Sequence, residues 1–290
     1  MTVQSFSGAW YIQESFLPTA FSLAQKGEDP FFFLAQRSMG FASFKELPLS
    51  QQLAGDPNAF YDWYINYYLL DNSTGIATIT IAGGMSRFGF YGWGNEDYAR
   101  LIKRCDQNTN VRAIVLKMFT PGGTVDSTKM LADTVRDTVK KILVHTAMCC
   151  SAGLLVASQA DEIWLEPQSA TVIGSVGIVY IYINQAKAYE MQGLEPEIIR
   201  APGSEDKYKP NSIEGLDELG RAHIDQGLVE GRNEFVGFMR RGLGHQITNE
   251  KLAFSGQVFN WKTGLQLGMA HNAGSIEQCY KRAIQLSKQS

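Results

Sequence analysis

Ser151 stands where an apolar strand turns into a short apolar helix, in Met148-Cys-Cys-Ser-Ala-Gly-Leu-Leu-Val-Ala. Upstream lies Thr120-Pro-Gly-Gly, a turn whose glycines permit positive φ and can aim backbone N–H groups at a ligand. A hydroxyl at a sharp corner, with the N–H of Ala152 facing a developing oxyanion, is the minimum for acyl transfer. Each feature also has an ordinary use. Serine at such a corner commonly caps the following helix, and Gly122-Gly123 makes an everyday strand-to-helix turn.

A serine nucleophile needs a base. The four histidines are His145, His223, His245 and His271. His145 belongs to the strand leading to Ser151, and the others fall in the C-terminal helices without an obvious carboxylate to orient them. A Ser-His-Asp triad therefore has no support in the spacing. Lysine can serve instead when desolvation brings an amine toward neutrality. Lys207 and Lys209 lie in the polar loop Glu205-Asp-Lys-Tyr-Lys-Pro, which can equally be read as a solvated charged loop.

The elements that must position these groups follow from periodicity. Ile76, Thr78 and Thr80 alternate with Ala77, Ile79 and Ile81, as in a strand. Asn95 is placed to cap a helix carrying Tyr98, Leu101, Ile102 and Cys105 on one face. Residues 111–118 read as a strand buried on both faces, residues 127–140 as a helix, and residues 142–147 as the next strand. Repeated strand, turn, helix and strand implies βαβ units around a mainly parallel sheet. Right-handed crossovers then bring the two turns, 120–123 and 150–153, to one edge of that sheet. Farther on, residues 196–200 read as a short strand, 201–212 as a polar loop, and 213–241 as a long helix. Two more helices are expected, from Trp261 and over residues 275–286. Residues 1–72 differ: aromatic clusters broken by Pro18, Pro30, Pro48 and Pro57 predict short helices that pack on a neighbouring subunit or on the sheet of residues 73–290.

Bulk properties narrow the class. With 290 residues, 44% of them apolar, the chain can bury a large core. A net charge of −3 gives no basic footprint for nucleic acid. Cys105, Cys149, Cys150 and Cys279 lack metal-ligand or disulfide-framework spacing, and the adjacent pair points to opposite faces of a strand. No metal and no cofactor is called for. Residues 142–157 are too short and too polar to span a membrane, and the opening residues do not form a signal peptide, so a cytoplasmic protein is expected.

Taken in order, these segments resemble peptidase family S49, the signal peptide peptidase A and phage head-protease type, which has a ClpP/crotonase-like α/β fold of repeated ββα units. The matching residues are Thr120-Pro-Gly-Gly for the family's Ser-Pro-Gly-Gly, Ser151-Ala-Gly for its nucleophile turn, Ala157-Ser-Gln-Ala-Asp-Glu-Ile, Gly174-Ser-Val-Gly and Tyr208-Lys209. Phe254-Ser-Gly-Gln-Val-Phe and Gly264-Leu-Gln-Leu-Gly match its C-terminal elements, and Trp93-Gly-Asn-Glu-Asp-Tyr resembles the phage-type lead into the first helix. The resemblance implies a Ser-Lys dyad with Ser151 as nucleophile and Lys209 as base. It also implies oxyanion N–H groups from Gly123 and Ala152, with Ser175 orienting the lysine. It implies a peptide or protein substrate, capsid or scaffold processing as in the phage-type members, and a homo-oligomer whose subunits can share a site. Glycine normally precedes the aromatic-Lys pair. Here Glu205-Asp206-Lys207 intervenes, so Lys207 stays a second candidate, and neighbouring carboxylates favour the charged amine that cannot act as a base. Thr120 for serine is a mild departure, and Cys150 is an alternative nucleophile turned away by alternation. Two other readings share the fold: a crotonase-like enzyme stabilising a thioester enolate, and a catalytically silent assembly protein.

Overall fold

The structure is a computed structural model that describes residues 8–12, 57–89 and 92–289. Its centre is an eight-stranded sheet. Three parallel strands form the middle: β3 (Ile76–Ala82), β4 (Ala113–Thr120) and β6 (Lys141–Cys150). The antiparallel strand β2 (Leu70–Asp71) closes one side beside β3. On the other side β6 pairs in parallel with β7 (Glu162–Leu165) along residues 143–146, and with β8 (Val172–Gly174) along residues 148–150. The antiparallel strand β10 (Val258–Asn260) then borders β8, and β11 (Asn272–Ala273) borders β7.

The βαβ expectation is met. Helix α2 (Asn95–Gln107) joins β3 to β4, and α3 (Thr128–Asp137) joins β4 to β6. Both crossovers cover one face, where Ile79, Ile81, Ile114, Leu116, Met118 and Val144 pack against Leu101, Ile102, Leu131 and Val135. The opposite face is apolar too: Ile76, Ala113, Val115 and Leu143 meet Cys279 and Ala283 of the last helix, α7 (Ile276–Leu286). Burial on both faces explains why β4 reads as an apolar run interrupted only by Lys117 before its last residues, since a strand buried once would alternate.

Several boundaries differ from the sequence-based expectation. Strand β6 runs on to Cys150 because β8 pairs with its last three residues. Gly94, not Asn95, occupies the cap position of α2; its N–H is taken by Asp97 Oδ2 at 3.0 Å, while Asn95 is buried and donates to Ser127 Oγ at 3.0 Å. Residues 196–200 are not a strand: no strand pairs with them, and Ile199 is 85% exposed. The long helix α6 spans Glu218–Leu243 rather than starting at 213. The Asn211 side chain accepts the N–H groups of Ile213 and Glu214 at 2.9 and 2.8 Å, which folds that stretch into a turn first. Asp217 then caps the helix through Gly220 N–H at 2.7 Å.

Of the aromatic arm, the described part is strand β1 (Gly8–Ile12) and helix α1 (Pro57–Tyr64), which runs into a π-helical turn at Ile65–Leu69. The strand departs from the expectation of helices alone. Helix α1 packs on α2 of its own chain: Tyr61 OH donates to Asp97 at 2.8 Å, and Arg104 grips Asp62 with two bonds. The other arm residues, 1–7 and 13–56, lie outside the described ones.

The sheet's centre yields the first prediction. Leu116 is wholly buried and Lys117 beside it is exposed. Leu116→Ala should lower stability by about 2–5 kcal/mol in a urea titration. Lys117→Ala should stay within about 0.5 kcal/mol of the parent.

Candidate active site

Parallel pairing fixes where the two turns fall. Thr120, at the carboxyl end of β4, is the register partner of Cys149, near the end of β6. The Gly122-Gly123 turn and Ser151 therefore leave the same sheet edge side by side. The loop after strand β8 joins them, because Gly174 is the partner of Cys150.

Ser151 has φ 52° and ψ −119°, a positive-φ backbone rare for a residue with a side chain. Its N–H donates to Gly174 O at 2.8 Å, and its own C=O accepts Leu155 N–H at 2.9 Å. Those two bonds hold the corner open between β6 and the wholly buried helix α4 (Ala152–Ala157). Residues forced into such regions cost on the order of 1–3 kcal/mol and persist where neighbours over-determine them. Although Ser151 stands at the cap position, its side chain makes no capping hydrogen bond. Its Oγ is fully buried and has no hydrogen-bond partner among the described residues. The geometry thus removes the ordinary explanation for this serine.

The glycine turn is equally constrained. Met85 bridges to it through Met85 N–H to Gly122 O and Thr124 N–H to Met85 O, both 2.9 Å. A Cβ on Gly123 would lie 1.8 Å from Met85 O, so nothing but glycine fits there. Short strand β5 (Gly122–Thr124) results. Thr120 contributes more than its backbone: its hydroxyl donates to Gly83 O at 2.6 Å and accepts Gly122 N–H at 3.0 Å. Its methyl occupies the space a Cβ on Gly153 would enter, 2.4 Å away. Thr120 therefore locks the turn to the corner, a role the sequence hid because a hydroxyl before Pro-Gly-Gly carries no sign of its partners.

Ser175 has φ 58°, is nearly buried, and donates its N–H to Gln257 O at 2.7 Å. Gly174 before it has φ 132°, and a Cβ there would meet Gln257 O at 2.4 Å. The residues singled out around Ser151, namely Gly123, Ala152 and Ser175, thus share one sheet edge.

Lys209 is placed differently. Its Nζ lies 3.6 Å from Asp217 Oδ2, at the start of α6, and no hydrogen bond joins it to Ser151. Its loop is anchored by Glu214, which takes two bonds from Arg200 at 2.8 and 2.7 Å and one from Asn211 at 2.8 Å. Arg200 and then Asn211 hold the Glu214 carboxyl down at about 2. The loop is also tied to strand β9 (Val179–Ile181) and helix α5 (Ala186–Met191): Tyr182 OH donates to Glu214 O, and Gln185 N–H to Ser212 O at 2.6 Å. Lys207 is exposed, and its carbonyl accepts Arg200 Nε at 2.7 Å. Glu205 turns its carboxylate onto Gly203 N–H at 2.9 Å.

Competing groups are occupied or inert. Burial pushes the Cys150 thiol up to about 12, far from a thiolate. His145 Nε2 pairs with Gly274 O at 3.0 Å, and His271 Nδ1 accepts Ile163 N–H at 3.0 Å, so both are spent on the fold. His223 and His245 are exposed. Among the described residues there is no group of His, Cys, Asp and Glu arranged to hold a metal, and no helix long and apolar enough to cross a membrane.

The model of peptidase family S49 matches residues 134–290, more than half of the chain, with Ser151, Ser175 and Lys209 inside the match and Gly123 before it. "Protease 4" of Haemophilus influenzae is 21% identical over 202 residues, covering 68% of this chain and 32% of that protein. The chain thus spans about a third of that relative's length. Among solved structures, a membrane-bound stomatin-specific protease is similar with a TM-score of 0.44 and 17% identity, over 70% of this chain and 81% of that one. A protein from Acinetobacter baumannii described as an enoyl-CoA hydratase/isomerase is similar with a TM-score of 0.45 and 16% identity, over 74% and 78%.

Two outcomes test the geometry. Thr120→Val strands Gly83 O and Gly122 N–H in a buried place, so urea unfolding should show a loss of about 1–3 kcal/mol. Thr120→Ser keeps both bonds and should stay closer to the parent. The loop has a pH signature. The lowered Glu214 carboxyl contributes stability above its ordinary value of 4.5, and that contribution is lost as pH falls toward about 2. Limited proteolysis of residues 201–217 should therefore accelerate as pH drops through that window, and Glu214→Gln should flatten the dependence.

Proposed function

Because the chain belongs to peptidase family S49, we propose that it is a serine peptidase that cleaves peptide bonds through an acyl-enzyme on Ser151, with Lys209 as the general base. One observation carries the reading: the Ser151 hydroxyl is held on a strained, positive-φ corner, buried, and committed to no other partner. Oγ attacks the carbonyl carbon of an extended peptide. The oxyanion that forms takes hydrogen bonds from Gly123 and Ala152 N–H. The proton of Oγ passes to the neutral amine of Lys209, which delivers it to the leaving amine; water then cleaves the ester. Ser175 orients the lysine. The required glycine at position 123 supports its part, since it brings backbone close to a ligand.

The lysine's position supports a shared site. Lys209 rests against Asp217 instead of Ser151. Large apolar side chains are exposed in the stretches of chain on either side of it, among them Ile199, Tyr208 and Leu219. A homo-oligomer that buries them and brings Lys209 of one copy to Ser151 of another is the arrangement proposed here. A cytoplasmic role in processing capsid or scaffold proteins, as in phage-type members that the sequence resembles, is the substrate reading we favour. Lys207 stays the second candidate for the base.

Cleavage of an unfolded test protein checks this. Ser151→Ala and Lys209→Ala should each lower the rate by at least about 10²-fold, while Lys207→Ala should leave it near the parent. Mixing the two inactive proteins should restore part of the activity. Persistent cleavage in either Ser151→Ala or Lys209→Ala would count against the dyad. No rescue on mixing would favour a site within one chain.

A further inference from the structure

Strand β1 lies between two strands that do not otherwise pair. Its residues Trp10, Tyr11 and Ile12 run antiparallel to Thr124, Gly123 and Gly122 of β5. On its other edge, Gly8, Ala9 and Trp10 run antiparallel to Ile181, Tyr180 and Val179 of β9. The chain thus inserts an extended segment, paired on both sides, beside the glycine turn.

The register decides what that segment does. Met85 takes the turn's bonding groups at Gly122 O and Thr124 N–H. Backbone groups of successive strand residues point to opposite edges, so the Gly123 N–H and C=O are turned toward β1. Tyr11 is the residue opposite Gly123. The Tyr11 carbonyl therefore receives the Gly123 N–H, the donor assigned above to the oxyanion. With β1 seated, Ser151 has no exposed surface. The donor that the proposed oxyanion needs is thus taken by a carbonyl of the chain itself.

We propose that Gly8–Ile12 is an internal pseudosubstrate: it fills the peptide channel between β5 and β9, sets its Tyr11 carbonyl at Gly123, and must leave before another peptide can enter. The proposal rests on the peptidase reading only for the meaning of Gly123; the pairing itself stands apart from any activity. Withdrawal of the strand exposes two unpaired strand edges to an incoming extended segment, which would reform the same ladder. The protein's activity is then set by how often β1 is out, because apparent affinity scales with the open fraction.

Two measurements on the full chain test it. Trp10 and Thr124 face each other at a non-hydrogen-bonded position, where Cα atoms stand about 4.5 Å apart, inside the range a disulfide spans. Trp10→Cys with Thr124→Cys should form a within-chain disulfide on mild oxidation, read by mass spectrometry of the intact and digested chain. The oxidised protein should lose cleavage of the unfolded test protein, and reduction should restore it. Tyr11→Pro, which removes the N–H that pairs with β5, should raise the parent rate by roughly fivefold or more by enlarging the open fraction. Failure to form the within-chain bond, or full activity with the bond in place, would overturn the proposal. So would a Tyr11→Pro rate that matches the parent in a folded protein. If no form of the protein cleaves anything, the peptidase reading fails while the disulfide still reports whether the strand sits where we place it.

Discussion

The corner at Ser151 rests on one backbone hydrogen bond, Ser151 N–H to Gly174 O. It joins the end of strand β6 to the end of β8 at the point where both chains leave the sheet. Parallel pairing makes it possible: residues 148–150 of β6 run beside 172–174 of β8, while residues 113–120 of β4 run along the other edge. Three strand ends are thereby held level. A strained φ at a serine survives because bonds on both sides of it would have to break for it to relax.

The surrounding groups depend on the same alignment. Thr120 ends β4 opposite Cys149, two residues before the corner, so its methyl reaches Gly153 and its hydroxyl reaches the glycine turn. Gly174 must be glycine because β10 crosses it, and the same crossing supplies Gln257 O to Ser175. Small residues gather here because three chain segments approach at backbone distance. Helix α4 is buried along its whole length, so the corner cannot shift without disturbing the core.

The loop bearing Lys209 obeys a different constraint. It is fixed by charge and by side-chain bonds to its own backbone, with Glu214 as the hub between Arg200, Asn211 and Tyr182. Tyr208 beside Lys209 is exposed, and the Lys209 amine rests against Asp217 at the start of α6. Seating β1 at the corner's other flank gives the same site a competitor of its own.

Much of this was legible from residue order. Alternation in residues 76–81, the apolar run at 111–118 and the helical spacing from Tyr98 to Cys105 set the βαβ repeat, because burial of a sheet on both faces leaves a pattern in the chain. That repeat was enough to bring Gly122-Gly123 and Ser151 to one edge. The sequence left Ser151 divided between cap and nucleophile, since both uses need serine at a helix start. The folded corner argues against the cap use, because the Ser151 side chain makes no capping hydrogen bond there. Thr120's bonds, the turn at Asn211 that delays α6, and the strand made by Gly8–Ile12 were beyond the sequence for a shared reason. Each depends on a partner far along the chain, and distance in sequence carries no mark of who will be adjacent in space.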